Sequence, residues 1–210
     1  MKRLAIIASG DLGQLIGYHA VEDRQYELVG LFDDYKEPGS LTGNYKILGG
    51  LRDITGAFKD GIFDELILAI GYKHFSVRKE WFERLNREIP FGTVIHSSCY
   101  VDPSCRVGKG SVILPGCTLD RNVVIGNNVL INTGCTIAHD SRVQDHSFLS
   151  PAVAMAGFSS VGSCCNIGIN TTIIDNIEIG DDIQTGGGTV VIDDLKQTGL
   201  YVGNPARFIR

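Results

Sequence analysis

The 210-residue sequence lacks any apolar run that approaches the length of a transmembrane helix. It also lacks an excess of positive charge: 19 Lys and Arg against 24 Asp and Glu give a net charge of −5. This balance argues against nucleic-acid binding and against adhesion to anionic membranes. Met1–Ala8 is short for a signal-peptide core and runs into a glycine turn, so we expect a buried first strand and a cytoplasmic protein.

The second half of the chain is built on a six-residue repeat. From Val94 to Leu195 it divides into seventeen hexads without a gap, and the second place of every hexad except that of Thr185 is apolar. The sixth place is small or branched almost throughout. A period of six fits neither an α-helix nor a simple strand, but it fits a short strand followed by a turn. Three such units close a triangular coil, so residues eighteen apart are expected to stack.

Cysteine is absent from the first 98 residues, and the repeat accounts for all six that follow. Five occupy the sixth place of a hexad and Cys164 precedes one of them. We interpret them as small buried hydrophobic residues rather than as disulfide partners or metal ligands.

The first half shows alternating strand and helix signals. Strands are predicted over 4–8, 27–32 and 65–71, and helices over 12–22, 51–59 and 74–87. This β-α-β-α-β order predicts a small parallel sheet.

Ligands of such sheets bind at the carboxyl ends of the strands, where three polar segments collect. These segments are Ser9-Gly10-Asp11, Asp33-Asp34 and Gly71-Tyr72-Lys73. Glycine lets a phosphate approach the backbone, and a following helix N-terminus favours an anion. A carboxylate after the second strand can accept bonds from ribose or a base edge. We predict a nucleotide site, although Gly10 and Gly13 fall short of a full dinucleotide fingerprint and could merely form a tight turn.

A small α/β domain, a β-helix and a Gly-Asn-Pro-Ala tail together resemble one family. They are similar to bacterial sugar acetyltransferases of the sialic-acid O-acetyltransferase type, especially those that N-acetylate nucleotide-linked 4-amino-4,6-dideoxy sugars. The similarity lies in these segments: Ala8-Ser9-Gly10, Phe32-Asp33-Asp34-Tyr35-Lys36, Ala69-Ile70-Gly71 with Arg78, Ile131-Asn132-Thr133-Gly134, Ala138-His139-Asp140, Ser150-Pro151 and Gly203-Asn204-Pro205-Ala206.

The resemblance implies acetyl-CoA as co-substrate, a nucleotide-linked amino sugar as acceptor, a homotrimer and no metal. It implies His139 as the catalytic base, oriented by Asp140. Its implied coenzyme contacts are the backbone at Gly157, Ile169 and Gly187, with Phe148 and the tail residue Pro205 beside the coenzyme. Its implied substrate contacts are those of the three polar segments together with Lys36 and Asn132.

The chain departs from its relatives at three places. Phe148 stands where many relatives carry a second histidine, nine residues after the base. The first turn has Asp11 where relatives have histidine, and the segment from Gly71 to Arg78 is longer. The last two changes lie in the predicted nucleotide site, so the identity of the base and the stereochemistry of the sugar are not fixed by the resemblance.

We therefore expect a nucleotide-sugar domain over 1–93, a left-handed β-helix over 94–195 and a tail over 196–210. The expected reaction is acetyl transfer to a sugar 4-amino group, with transfer to a sugar hydroxyl as the alternative. A zinc hydratase using His139 and His146, and a protein that only binds nucleotide sugars, are weaker alternatives. His146 itself is interpreted as an ordinary surface residue.

Overall fold

A computed structural model describes residues 1–210, and the chain divides into two units, Met1–Val94 and Ile95–Arg210. None of its helices combines the length and the apolar character needed to cross a membrane.

The first unit is a small α/β domain. Its elements are β1 (Lys2–Ile7), α1 (Asp11–Glu22), β2 (Tyr26–Phe32), β3 (Leu41–Thr42), β4 (Tyr45–Gly49), α2 (Ile54–Lys59), β5 (Glu65–Leu68) and α3 (Phe75–Leu85), with 3₁₀ turns at Leu51–Asp53 and Tyr72–His74. The sheet order is β3-β4-β2-β1-β5, and all neighbouring strands are parallel except β3 and β4. The first two predicted strands therefore correspond to β1 and β2, and the three predicted helices correspond to α1, α2 with the 3₁₀ turn before it, and α3.

Two features of this sheet differ from the prediction. The β3–β4 hairpin was not predicted, although Gly43-Asn44 between Thr42 and Tyr45 is a two-residue hairpin signal and Gly43 takes a left-handed φ of 58°. The strand β5 ends at Leu68 instead of Gly71. Beyond that point the Ile70 carbonyl accepts a hydrogen bond from the buried guanidinium of Arg78, which also bonds the Leu68 carbonyl.

The second unit is a β-helix in which, as far as Ile179, two-residue strands are joined by four-residue turns. Its strands are β6 (Val94–Ile95), β7 (Tyr100–Val101), β8 (Arg106–Val107), β9 (Val112–Ile113), β10 (Thr118–Leu119), β11 (Val124–Ile125), β12 (Leu130–Ile131), β13 (Thr136–Ile137), β14 (Arg142–Val143), β15 (Phe148–Leu149), β16 (Ala154–Met155), β17 (Ser160–Val161), β18 (Asn166–Ile167), β19 (Thr172–Ile173), β20 (Glu178–Ile179), β21 (Ile183–Thr185), β22 (Val190–Val191), β23 (Gly199–Val202) and β24 (Arg207–Phe208).

These strands form three sheets. Sheet A contains β6, β9, β12, β15, β18, β21, β23 and β24; sheet B contains β7, β10, β13, β16, β19 and β22; sheet C contains β8, β11, β14, β17 and β20. The chain visits A, B and C in turn, so the turns form three columns, which we name corner AB, corner BC and corner CA. Apolar second-place side chains fill the interior, as predicted.

The corners depend on a left-handed residue at the fifth place of each hexad. From Gly110 to Gly188 every fifth-place residue has a φ between 53° and 75°. Most are Gly, Asn or Asp, which adopt this conformation at least cost. Four consecutive positions break that preference: His146, Ala152, Phe158 and Cys164.

The sixth-place side chains tie successive coils together. The Ser147 hydroxyl donates to the Gly162 carbonyl at 2.6 Å, and the Cys165 thiol donates to the Gly180 carbonyl at 3.0 Å. Cys117 donates in the same way to Asn132 at 3.0 Å. Cys117, Cys135 and Cys165 are buried, as predicted, but they are hydrogen-bond donors as well as small packing groups. The prediction is wrong for Cys99, Cys105 and Cys164, which are only half-buried.

The single polar second-place residue, Thr185, is explained by its hydroxyl. Thr185 is buried, its Oγ1 accepts the Gly168 N–H at 2.9 Å, and it lies 2.9 Å from Thr171 Oγ1. A methyl group there would remove the acceptor of the part-buried Gly168 N–H and one of the partners of the buried Thr171 hydroxyl.

We expect Thr185→Val to destabilise the protein by about 1–3 kcal/mol, even though valine conforms to the repeat better than threonine. The free energy of unfolding in urea measures this. Ile179→Val, one methyl smaller at another second place, is the control and should cost about 0.5–1.5 kcal/mol. A Thr185→Val protein as stable as the wild type would contradict the role of the hydroxyl.

Candidate active site

His139 lies at corner BC, in the turn between β13 and β14. Its side chain is 43% exposed, and its carbonyl accepts the Phe158 N–H of the next coil at 3.1 Å. The imidazole is thus held by a rigid turn while one edge remains open to solvent.

Two side chains of the same corner orient this imidazole. His139 Nδ1 lies 3.1 Å from Asp140 Oδ2, and Asn122 Nδ2 donates to Asp140 Oδ1 at 2.9 Å from the preceding coil. The bond from Asn122, followed by that with His139, lowers the pKa of Asp140. An ionised Asp140 favours the tautomer with the proton on Nδ1, which leaves Nε2 able to accept a proton.

Gly157 stacks directly against the imidazole. A Cβ at position 157 would lie 2.7 Å from His139 Cε1 and 2.8 Å from Nε2, so any larger residue would displace the ring. The next residue, Phe158, meets the imidazole edge to face, with ring centroids 5.1 Å apart and an interplanar angle of 87°. The predicted pair of His139 and Gly157 therefore forms one local constellation, to which the structure adds Asn122 and Phe158.

Ile169 and Gly187 stack together, but at corner AB. A Cβ on Gly187 would lie 3.0 Å from Ile169 Cγ2, and the Gly188 N–H donates to the Ile169 carbonyl at 2.7 Å. The tail continues this column, because the Gly203 carbonyl accepts the Val190 N–H at 3.0 Å. Pro205 follows in the same turn, so the structure groups the tail with Ile169 and Gly187 and separates all three from the corner of His139.

Two predicted features fall elsewhere. Phe148 lies in sheet A between Leu130 and Asn166 and is only 8% exposed.

The interpretation of His146 as a surface residue is wrong: it is 5% exposed at corner CA, where its Nδ1 lies 3.0 Å from Asn128 Nδ2. The left-handed turn and the stacking of coils direct this ring along the column instead of into solvent. His139 and His146 thus occupy different corners, and no cluster of three or more metal-ligating side chains forms in the chain.

The first unit has a cleft of about 480 Å³ at the carboxyl ends of β1, β2 and β5. Of the predicted substrate residues, Gly10, Asp11, Asp33, Asp34 and Gly71 line it. Tyr35, His74 and Trp81 line it too, and they are not among the predicted contacts. The other predicted residues do not line it; these are Ser9, Lys36, Tyr72, Lys73 and, in the second unit, Asn132.

The two aspartates of the cleft have different tasks. Asp33 Oδ2 accepts both the Ser9 amide at 2.9 Å and the Ser9 hydroxyl at 2.6 Å, so Ser9 is committed to shaping the turn. Burial tends to raise the pKa of Asp33, but these bonds and the Tyr35 amide outweigh it and hold the pKa low. Asp34 Oδ1 accepts the Leu51 amide at 2.7 Å. That bond fixes the direction of an exposed carboxylate at the cleft.

The glycines of the first turn also differ. A Cβ at Gly13 would lie 2.1 Å from the Ala8 carbonyl oxygen, so Gly13 is required for α1 to pack against the end of β1. Gly10 and Gly71 have ordinary extended conformations, and a Cβ on either would meet nothing within 4 Å. The fold does not require glycine at these two positions, and both leave open space at a helix N-terminus facing the cleft.

Comparison with known families matches both units. The PglD N-terminal domain family matches residues 3–85, and the GMPPB C-terminal domain family matches residues 95–195. A UDP-3-O-acylglucosamine N-acyltransferase from Bordetella pertussis is 32% identical over 66 residues, which are 31% of this chain and 18% of that relative. The chain therefore corresponds to a small part of this curated relative.

Two solved structures match along the whole chain. PerB from Caulobacter crescentus, in complex with CoA and GDP-perosamine, is 26% identical with a TM-score of 0.91, covering 100% of this chain and 98% of that one. The acetyltransferase domain of PglB from Neisseria gonorrhoeae is 24% identical with a TM-score of 0.91, covering 100% of both chains. The predicted fold, a small α/β domain followed in the chain by a left-handed β-helix, is confirmed.

We expect Asn122→Gly to raise the pKa of Asp140 toward the ordinary value of about 3.9, because it removes the strongest bond to that carboxylate. Glycine keeps the left-handed turn, in which Asn122 has a φ of 61°. A lowered pKa contributes stability above the unfolded-state pKa that is lost as the pH falls through the folded-state pKa, so the variant should lose less stability on acidification.

Carbon-detected NMR titration of the Asp140 carboxyl measures the change. Asn170→Gly, at an equivalent left-handed position of corner AB with a φ of 56°, is the matched control. An Asp140 titration that is the same in the Asn122→Gly protein and the wild type would contradict the assignment.

Proposed function

We propose, from the chain's place among the bacterial hexapeptide-repeat nucleotide-sugar acetyltransferases, that it transfers an acetyl group from acetyl-CoA to the 4-amino group of a nucleotide-linked 4-amino-4,6-dideoxy sugar. The observation that carries the proposal is the His139–Asp140–Asn122 chain of hydrogen bonds, stacked on Gly157. It occurs in a chain that superposes over its full length on PerB, a protein solved with CoA and GDP-perosamine.

His139 is the general base in this proposal. The sugar amine attacks the thioester carbonyl, the new C–N bond forms, and the amine must lose a proton as the tetrahedral intermediate develops. An imidazole is suited to accept this proton at neutral pH. Asp140 holds Nδ1 and leaves Nε2 for this proton, which then passes to the departing thiolate of coenzyme A.

Gly157 has two roles in this proposal. Its missing side chain makes room for the imidazole, since a Cβ would overlap the ring. Its backbone N–H is the donor that we assign to the oxyanion of the intermediate, a role in which one well-placed hydrogen bond contributes about 10²–10³ in rate.

The coenzyme requires two chains. Gly157 belongs to corner BC, whereas Ile169, Gly187 and the Pro205 turn belong to corner AB. If all of these positions contact one coenzyme, the AB column of one chain must face the BC column of another. Each chain then contributes its AB column to one interface and its BC column to another, so the chains close into a cyclic homo-oligomer. We propose that this oligomer is the trimer implied by the sequence resemblance.

The nucleotide occupies the cleft of the first unit. Gly10 and Gly71 let the diphosphate approach the N-termini of α1 and of the turn that leads into α3. Asp34, fixed by the Leu51 amide, accepts hydrogen bonds from the ribose or the base. Tyr35, which is 95% exposed at the rim, and Trp81 provide aromatic surface for the base.

We expect Gly10→Ala to weaken nucleoside diphosphate binding by about tenfold or more without lowering the melting temperature, since the new methyl meets no protein atom and would occupy ligand space. Calorimetric titration with GDP, UDP and dTDP measures the affinity. The control is Gly56→Ala in α2, which also meets nothing within 4 Å and lies outside the cleft. Equal affinity of the Gly10→Ala and Gly56→Ala proteins would exclude the diphosphate from this turn.

We expect His139→Ala to lower thiol release from acetyl-CoA in the presence of the amino sugar by about 10²–10⁴-fold, the usual contribution of a general base. Gly187→Trp should also be inactive, because it blocks the coenzyme column. Activity that persists in His139→Ala would remove this residue from the proton transfer.

Coexpression of the two inactive chains tests the shared site. With random assembly about one quarter of the interfaces combine an intact His139 with an intact Gly187, so about a quarter of wild-type activity should return. No recovery from a confirmed mixed oligomer would show that each site lies within one chain.

A further inference from the structure

We propose that Phe158 is the specificity-determining wall of the acceptor site, and that it selects a sugar carrying a methyl group, rather than a hydroxymethyl group, beside the amine-bearing carbon. The inference rests on the proposed function and names the feature of the substrate that this chain recognises.

The backbone at Phe158 is unfavourable for its side chain. Its φ is 57°, in the left-handed region that the column otherwise fills with Asn122, Asp140 and Asn176. A bulky residue in this region is strained, and such strain persists where the surrounding structure enforces it, most often at functional sites.

The fold gains little from the ring. Phe158 is 59% exposed, so it does not contribute a buried side chain to the core. Its ring packs against the imidazole of His139, with 5.1 Å between ring centroids. An exposed apolar ring in a strained conformation next to a solvent-accessible base is best explained by a ligand that covers it.

The position of the imidazole indicates which part of the ligand covers the Phe158 ring. The amine must come within hydrogen-bonding distance of His139 Nε2, and Phe158 stands beside this imidazole. In a 4-amino-4,6-dideoxy hexose, the carbon next to the one bearing the amine carries the C6 methyl. That methyl is the apolar group nearest to the nucleophile, and it can cover the exposed ring.

A hydroxymethyl group in the same place would bring a hydroxyl against the ring and lose part of its hydration without gaining a partner. Discrimination by an apolar surface against one added hydroxyl is modest. For a wall that remains partly open, we expect a preference of about tenfold in kcat/KM.

The experiment compares two acceptors that differ only at C6: the nucleotide-linked 4-amino-4,6-dideoxy hexose and its 4-amino-4-deoxy counterpart with a C6 hydroxyl. The wild type should prefer the first by about tenfold, and Phe158→Asn should reduce this ratio to about one. Phe158→Leu, which keeps an apolar side chain, should retain most of the preference.

Cys164→Asn is the matched control for the change of a left-handed residue. Cys164 has the same φ of 57° but lies at corner CA, which carries none of the residues assigned to the site. Its ratio should equal that of the wild type. Because asparagine suits the left-handed conformation, Phe158→Asn should melt no lower than the wild type, which separates a lost preference from a damaged fold.

The outcomes separate the two proposals. The proposed role of Phe158 is refuted if the wild type acetylates both acceptors equally, or if the Phe158→Asn protein keeps the tenfold preference. Either result leaves the acetyltransferase assignment unaffected. If the wild type acetylates neither acceptor, both the acetyltransferase assignment and the role of Phe158 are refuted. If the preference for the C6 methyl acceptor is lost in Phe158→Asn and kept in Phe158→Leu and Cys164→Asn, the role of Phe158 is established.

Discussion

The backbone hydrogen bond between successive coils is the interaction on which the second unit depends. At the turns each coil donates to carbonyls of the preceding coil, as from the Asp140 amide to the Arg121 carbonyl and from the Phe158 amide to the His139 carbonyl. These bonds fix residues eighteen apart as neighbours. Parallel strands of two residues are too short to hold a register alone, but repetition along three sheets makes the register cooperative. The contacts of Asn122, Gly157 and Phe158 with the His139–Asp140 pair are consequences of that spacing.

At corner BC, the eighteen-residue spacing brings side chains of successive coils together around His139. Asn122, Asp140 and Gly157 come from three successive coils, yet Asp140 and Gly157 contact one imidazole and Asn122 bonds Asp140. No loop has to fold over the site to bring them together. The imidazole is therefore preorganised by the same hydrogen bonds that form the fold, and its orientation does not depend on a mobile segment.

Much of this arrangement could be predicted because a six-residue period is unambiguous once three units close a coil. The period places His139 beneath Gly157 and Ile169 beneath Gly187. It could not show that Thr185 satisfies the Gly168 amide, because the partner of a buried hydroxyl depends on side-chain geometry. It also gave the wrong environment for His146, since a fifth-place side chain can lie along its column as well as point into solvent.

The first unit was less predictable for a related reason. The sequence signals for β1, β2 and their turns are local, whereas the lining of the cleft is set by tertiary contacts. Ser9 carries the right chemistry for a ligand contact, but Asp33 engages both its amide and its hydroxyl. Trp81 and His74 enter the cleft from α3 and the turn before it, and no local motif marks them.

The donors at the sixth place make thiols and hydroxyls interchangeable. Cys165 and Ser147 occupy successive sixth places of corner CA, and each donates to the carbonyl fifteen residues further on. A serine in place of a sixth-place cysteine keeps the hydrogen bond and is slightly smaller. The five sixth-place thiols of the β-helix can therefore be replaced one at a time, and replacing Cys164 as well would let a single introduced cysteine carry a spectroscopic label to a chosen corner.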